Sequence, residues 1–112
     1  ILDPDPFVEQ AKKMMELRAE IKEKTGIELE TVDLGGGLGI PYKPGEEELP
    51  PEELASNVTK QLEKSLEEQD LSKPKLMLEP GRSIVADSSL LLGTVGYVKE
   101  RKDIPTWISI DA

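Results

Sequence analysis

The stretch that decides the fold is "TVDLGGGLGI", residues 31–40. An apolar, β-branched run that reads as a strand ends there in three consecutive glycines. Glycines after a strand let the backbone approach a ligand closely and turn its N–H groups inward, which is what a phosphate oxygen needs where no cationic side chain stands. The alternative reading is a tight strand-to-loop turn, and the run alone leaves both open. It is not the dinucleotide fingerprint, because the third glycine of G-x-G-x-x-G would fall at position 40, where Ile40 stands. It is not a P-loop either, since no Gly-Lys-Ser/Thr follows.

Working outward, the chain alternates helices and strands. Asp5 and Pro6 read as an N-cap and first-turn pair, and Phe7, Ala11, Met14, Met15 and Ile21 recur at helical spacing until Thr25-Gly26 stops the helix. "IELETVDL" (27–34) reads as the strand that enters the glycines. After the polar loop "YKPGEEELPP" (42–51), a second helix starts at Pro50 or Pro51, with Leu54, Val58, Leu62 and Leu66 as one buried stripe. Leu76 to Leu78 reads as a short buried strand running into Glu79 and Pro80, and "RSIVADSSLL" (82–91) as a short helix. "LLGTVGYVKERK" and "DIPTWISIDA" read as two strands joined by a charged turn around Arg101 to Asp103. This order points to βα units on a parallel sheet or barrel, in which ligands gather at the carboxyl edge of the strands.

"LMLEPGRSIV" (76–85) falls at that same edge. Glu79 ends an apolar strand, which predicts a carboxylate carried into the mouth of the fold. Pro80 fixes the turn, Gly81 exposes another N–H, and Arg82 offers a planar fork suited to phosphate or carboxylate. The competing reading is a structural ion pair between Glu79 and Arg82.

Composition limits the alternatives. The 112 residues are 37% hydrophobic with one Trp, two Tyr and one Phe, enough for one modest, mostly aliphatic core. A formal charge of −9 argues against nucleic acid and against anionic membrane surfaces. The absence of Cys excludes disulfides and thiolate metal sites, and the absence of His excludes histidine triads and histidine metal sites within this segment. No apolar run approaches the roughly 20 residues that span a bilayer. With no signal peptide at its start, the chain is expected to be cytoplasmic. Its opening in mid-phrase and its end on a strand pattern suggest a piece of a larger chain. "NVT" at 57–59 reads as a coincidental glycosylation match inside a helix, Met14, Met15 and Met77 as apolar-face residues, and Glu46 to Glu48 as a solvated loop.

With both motifs in hand, the sequence resembles the diaminopimelate decarboxylase family, pyridoxal-phosphate enzymes on an alanine-racemase-like barrel. "VDLGGGLGIPY", "LEPGRSIVADSSLLLGTVGYVK" and "WISIDA" carry the resemblance. It implies an α/β fold: the C-terminal portion of a pyridoxal-phosphate-binding (β/α)8 TIM barrel over residues 1–91, with 92–112 as exit strands into a β-rich C-terminal domain. It implies that Gly35, Gly36 and Gly37 hold the phosphate of pyridoxal 5'-phosphate through backbone amides. Gly81, after Pro80, would add another N–H. Glu79 would face the pyridine nitrogen, and Arg82 would lie near the phosphate and bind a substrate carboxylate. A carboxylate at the nitrogen favours decarboxylation over racemisation, which in this fold uses an arginine there.

The implied reaction converts meso-2,6-diaminopimelate to L-lysine and carbon dioxide in a homodimeric enzyme. The family's cofactor-bearing lysine and stacking histidine lie before this segment, and a cysteine and tyrosine of its β-domain lie after it. None of Lys43, Lys73 or Lys99 reads as that lysine, so this segment alone is expected to be inactive. The rivals are an ornithine, arginine or carboxynorspermidine decarboxylase of the same fold, and a non-catalytic phosphate-binding β/α module. Tyr42 reads as a packing residue.

Overall fold

A computed structural model describes residues 1–112. Helix α1 runs Asp5–Thr25, strand β1 Thr31–Asp33, helix α2 Pro51–Gln69 and strand β2 Lys75–Met77. A four-residue helix α3, Arg82–Val85, and a 3-10 turn, Ala86–Ser88, lead to strands β3, Val95–Lys99, and β4, Trp107–Ile110.

The cap of α1 lies one residue before the expected Asp5. Pro4 is the N-cap, its carbonyl accepting from Phe7 and Val8, while the Asp3 carboxylate accepts from the N–H of Asp5 at 2.9 Å. At the other end Gly26, with φ of 71°, returns its N–H to the Lys22 carbonyl, a conformation that glycine adopts without steric cost. Phe7, Ala11, Met15 and Arg18 form the buried face of this helix; Met14 and Ile21 sit at its margin. Helix α2 opens on Pro51, whose missing N–H costs nothing at the first position, with Glu52 and Glu53 favourably placed in the positive first turn. Leu54, Val58 and Leu62 are buried, but Leu66 is only partly so and Ser65 is buried in its place. A four-residue repeat gains about 40° per step over a 3.6-residue turn, so the stripe drifts off the contact line.

The two helices pack on each other, and Val32 of β1 joins their core, buried between exposed Thr31 and Asp33 in the alternation of a strand covered on one face. Ten hydrophobic residues from Phe7 to Leu71 form the core. Burial of each larger side chain among them is worth about 1.5–3 kcal/mol. Strands β1 and β2 are parallel, pairing Thr31 with Lys75, Val32 with Leu76 and Asp33 with Met77.

Two expectations for these strands are overturned. β1 occupies only three of the eight residues 27–34: Ile27 and Leu29 are exposed, and the Leu29 carbonyl is taken by the Arg18 side chain instead of a ladder. The strand over 76–78 is not buried. Met77 is exposed because no layer covers the second face of this two-stranded sheet, and Leu78, on the helix side, is exposed because it borders an open hollow instead of packed side chains.

Strands β3 and β4 form a separate antiparallel pair with an irregularity at Gly96, closed by the Thr94 N–H donating to the Asp111 carboxylate at 2.7 Å. Every residue of both strands is exposed, Trp107 at 70%. The molecule is accordingly elongated, 61 × 28 × 26 Å. No helix is long and apolar enough to cross a membrane.

Candidate functional site

The parallel register brings the two motifs together. Past the last ladder pair, the Leu34 N–H donates to the Met77 carbonyl at 3.0 Å and the Glu79 N–H to the Gly35 carbonyl at 2.7 Å. The glycine run and Glu79-Pro80-Gly81-Arg82 therefore leave the sheet side by side, at its carboxyl edge.

The glycines have separate reasons to be glycine. Gly35 and Gly37 take φ of 64° and 106°, left-handed values that disfavour side chains. Gly36 is needed for closeness: a Cβ on it would stand 2.4 Å from the Glu79 carbonyl oxygen. The close approach that a glycine run permits is thus spent in part on the neighbouring strand. The N–H of Gly35 is also engaged, donating to the Asp33 carboxylate at 2.8 Å in a local turn. Those of Gly36 and Gly37 make no hydrogen bond within the chain.

Residues 78–81 border two hollows alternately. Leu78 and Pro80 line a hollow of about 250 Å³ with Phe7, Leu54 and Ile84. Glu79 and Gly81 line another, of about 690 Å³, with Gly37, Tyr42, Glu46 and Arg82. Gly35 and Gly36 also line the first hollow, where Glu48 is the one charged residue; the second gathers Gly37 with Glu46, Glu79 and Arg82, and it is the candidate site.

Within it, Glu79 and Arg82 form no ion pair, which overturns the structural-pair reading. The Glu79 carboxylate has no hydrogen-bond partner and is exposed, not withdrawn into an enclosed mouth. Arg82 Nη1 donates to the Tyr42 hydroxyl, and the guanidinium carbon stands 5.8 Å from the centre of the Tyr42 ring. Tyr42 is 66% exposed and is not a packing residue. Its loop is held by Glu46, whose Oε2 accepts from the N–H of Tyr42 at 2.7 Å and of Lys43 at 3.2 Å, across Gly45 with φ of 92°. Glu46 is therefore a structural brace as well as a loop residue. The sequence signal that could have exposed this is the Pro44-Gly45 turn followed by an acid, a pattern that folds a loop back on its own amides. Lys43 and Lys73 lie in loops; Lys99 ends β3, in the other sheet.

The opposite end of the same strands carries a cluster that the sequence reading missed. Arg18 is 2% exposed, and its guanidinium donates to the carbonyls of Leu29 at 2.6 Å and Ser72 at 2.7 Å, and to Glu28 Oε1 at 3.0 Å. Glu28 also accepts from the hydroxyl and N–H of Ser72, both at 2.6 Å, and pairs with Lys22 at 3.0 Å. The Ser72 hydroxyl, the Lys22 ammonium and the Ser72 N–H hold the Glu28 carboxyl down to about 2. An arginine on the apolar stripe of a helix, at position i+3 from Met15, was the available signal.

Comparison with known proteins gives a consistent result. Residues 1–86 match the family model described as pyridoxal-dependent decarboxylase, pyridoxal binding domain. The chain is 47% identical over 100 residues to a diaminopimelate decarboxylase of Methanothermobacter thermautotrophicus, covering 89% of this chain and 23% of that protein. It is 41% identical to the one from Methanocaldococcus jannaschii, over all of this chain and 25% of that one. The crystal structure of the M. jannaschii enzyme superposes with a TM-score of 0.74, and that enzyme has also been solved with L-lysine. A Helicobacter pylori diaminopimelate decarboxylase complexed with L-lysine, 33% identical, gives 0.60 over all of this chain and 25% of that one. The chain spans about a quarter of the length of the relatives it matches.

The donor set fits pyridoxal phosphate. The unengaged N–H of Gly37, a guanidinium with donors to spare and a carboxylate without a cation belong to residues lining one hollow, and the unengaged N–H of Gly36 is on the adjoining residue. Gly81 has open space where a Cβ would stand. Such a hollow can take an anion at one part and a protonated ring nitrogen at another.

Proposed function

The chain belongs to the pyridoxal-dependent decarboxylase family, and from that premise we propose that it is part of a diaminopimelate decarboxylase, releasing carbon dioxide from meso-2,6-diaminopimelate to give L-lysine. The observation that carries the reading is the parallel register of β1 and β2. It sets the glycine run beside Glu79-Pro80-Gly81-Arg82, so that Gly37, Glu79, Gly81 and Arg82 line one hollow, in a chain 41–47% identical to proteins named for that activity.

When bound, pyridoxal phosphate supplies an electron sink for the electrons left on the substrate carbon as carbon dioxide departs. The residues of this chain then have distinct tasks. Gly36, Gly37 and Gly81 donate backbone N–H groups to the phosphate. Gly35 contributes the left-handed turn that aims them, its own N–H being held by Asp33. Pro80 fixes the backbone between Glu79 and Gly81. Glu79 holds the proton at the pyridine nitrogen, and its freedom from Arg82 leaves its full charge for that purpose. Arg82 presents free N–H donors to a carboxylate of the amino-acid substrate, near the phosphate.

Residues 1–91 form part of the cofactor-binding (β/α)8 barrel, supported by the parallel βαβ arrangement and by a family match that ends at residue 86. Residues 92–112 form exit strands toward a β-rich domain, supported by the separate antiparallel pair with both strands exposed. The complete enzyme is a cytoplasmic homodimer in this reading.

The test is direct. The full-length parent is titrated with pyridoxal phosphate by absorbance, then carbon dioxide release is measured from meso-diaminopimelate, ornithine and arginine in parallel. Release from diaminopimelate alone is the expected result. Release only from another substrate moves the pathway, and no spectral change on adding cofactor leaves an anion-binding module as the better account.

A further inference from the structure

We infer that Tyr42 is a positioning residue for Arg82, fixing the guanidinium so that its free donors meet the substrate carboxylate; the inference rests on the reading of Arg82 given above. Arg82 begins a four-residue helix at an exposed position, where its long side chain has many rotamers open to it. No carboxylate lies within ion-pairing distance. The two contacts that restrict it both come from Tyr42. The phenol oxygen accepts from Nη1, which sets the direction of one arm, and the guanidinium carbon lies 5.8 Å from the ring centre, so the ring limits its swing. Nε and Nη2 make no hydrogen bond and remain free to grip an anion in the two-pronged geometry that a carboxylate accepts.

The neutrality of the partner matters. Glu79 lines the same hollow and could in principle have served as the anchor, but an ion pair would cancel the charges of both residues. A phenol orients the guanidinium and leaves it cationic. Tyr42 is itself held although exposed. Glu46 accepts from its N–H and from that of Lys43, and the Glu46 N–H returns to the Lys43 carbonyl at 3.2 Å, so the loop closes on itself over Gly45.

The experiment uses the full-length enzyme loaded with cofactor and follows KM, kcat and cofactor affinity separately. Tyr42→Phe keeps the ring and removes the hydroxyl. It is expected to raise KM for diaminopimelate about tenfold, the effect of one hydrogen bond to a charged group, with kcat and cofactor affinity unchanged. Tyr42→Leu, which also removes the ring face, raises KM further, and Glu46→Gln, which keeps one acceptor oxygen, raises it less than either. Arg82→Ala raises KM on its own, and adding Tyr42→Phe to it brings no further loss, because the hydroxyl acts only through the arginine. An unchanged KM in Tyr42→Phe beside a raised KM in Arg82→Ala overturns the inference and spares the role of Arg82. Additive effects in the double variant, or a loss of cofactor affinity in Tyr42→Phe, also overturn it. An unchanged KM in Arg82→Ala overturns the role of Arg82, and this inference with it.

Discussion

The two ends of the β1–β2 pair are built on opposite principles. At the amino end, the buried Arg18 spends its guanidinium on Leu29, Ser72 and Glu28, and Glu28 is in turn answered by Ser72 and Lys22. At the carboxyl end, past β2, Glu79 and Arg82 stand in one hollow without pairing, and two glycine amides make no bond. A closed set of charges stabilises, and an open set remains available to a ligand. The division follows the general rule for parallel βα folds, in which one face holds the structure and the other carries the chemistry. The closed end also serves the open one: Arg18 grips the chain just before each strand, so it sets where both strands begin and hence which residues leave the sheet together.

The strongest way to break the contrast is to open the closed end. Arg18→Ala removes the side-chain donor to the Leu29 and Ser72 carbonyls, one partner of Glu28 and a buried side chain, and is expected to destabilise the full-length protein by about 3 kcal/mol. Urea denaturation measures it, and a loss under about 1 kcal/mol would mean that the cluster is incidental. Glu79→Gln acts on the open end and should leave the fold untouched. The full-length enzyme is expected to retain pyridoxal phosphate and lose turnover roughly a hundredfold or more, the scale of removing one preorganised charge from an active site. Full turnover in that variant would remove the role at the pyridine nitrogen.

Gly36→Ala tests the seam itself. A Cβ would stand 2.4 Å from the Glu79 carbonyl oxygen, so the two motifs must part, at an expected cost of about 1–3 kcal/mol together with weaker cofactor retention. Stability equal to the parent would show that the strands can separate freely there.

The smallest effect concerns pH. Glu28 has its carboxyl lowered from 4.5 to about 2 by Ser72 and Lys22. A lowered folded-state value means that its contribution is present in full above about 4.5 and is lost as pH falls toward 2. Melting temperature followed across that window should decline less steeply in Glu28→Gln than in the parent. An identical slope would assign the acid sensitivity to other carboxylates.

Much of this molecule was legible in advance, for identifiable reasons. Helices α1 and α2 were readable because their apolar residues recur at helical spacing and their ends carry Pro and Gly, signals that act within one or two turns. Both motifs were readable because glycine runs and Glu-Pro-Gly-Arg are local peculiarities with few conformational reasons to exist. Strand lengths were less so. Ile27 and Leu29 have strand-like side chains, but whether a backbone carbonyl joins a ladder depends on what else competes for it, and Arg18 does. The burial of 76–78 failed for a related reason: an apolar strand is buried only if something lies on each of its faces. Arg18 and Tyr42 escaped because their partners lie 54 and 40 residues away in sequence, at Ser72 and Arg82.

The sequence by itself determined the βα order, the two helices, and the residue types that can hold a phosphate and a ring nitrogen, since propensity, capping and side-chain chemistry are properties of short stretches. Only the tertiary structure decided which of those residues share a hollow, that Glu79 and Arg82 remain unpaired, and that Tyr42 holds the arginine. Such pairings depend on the register between strands and on competition for each donor and acceptor, and both are settled only when distant segments meet.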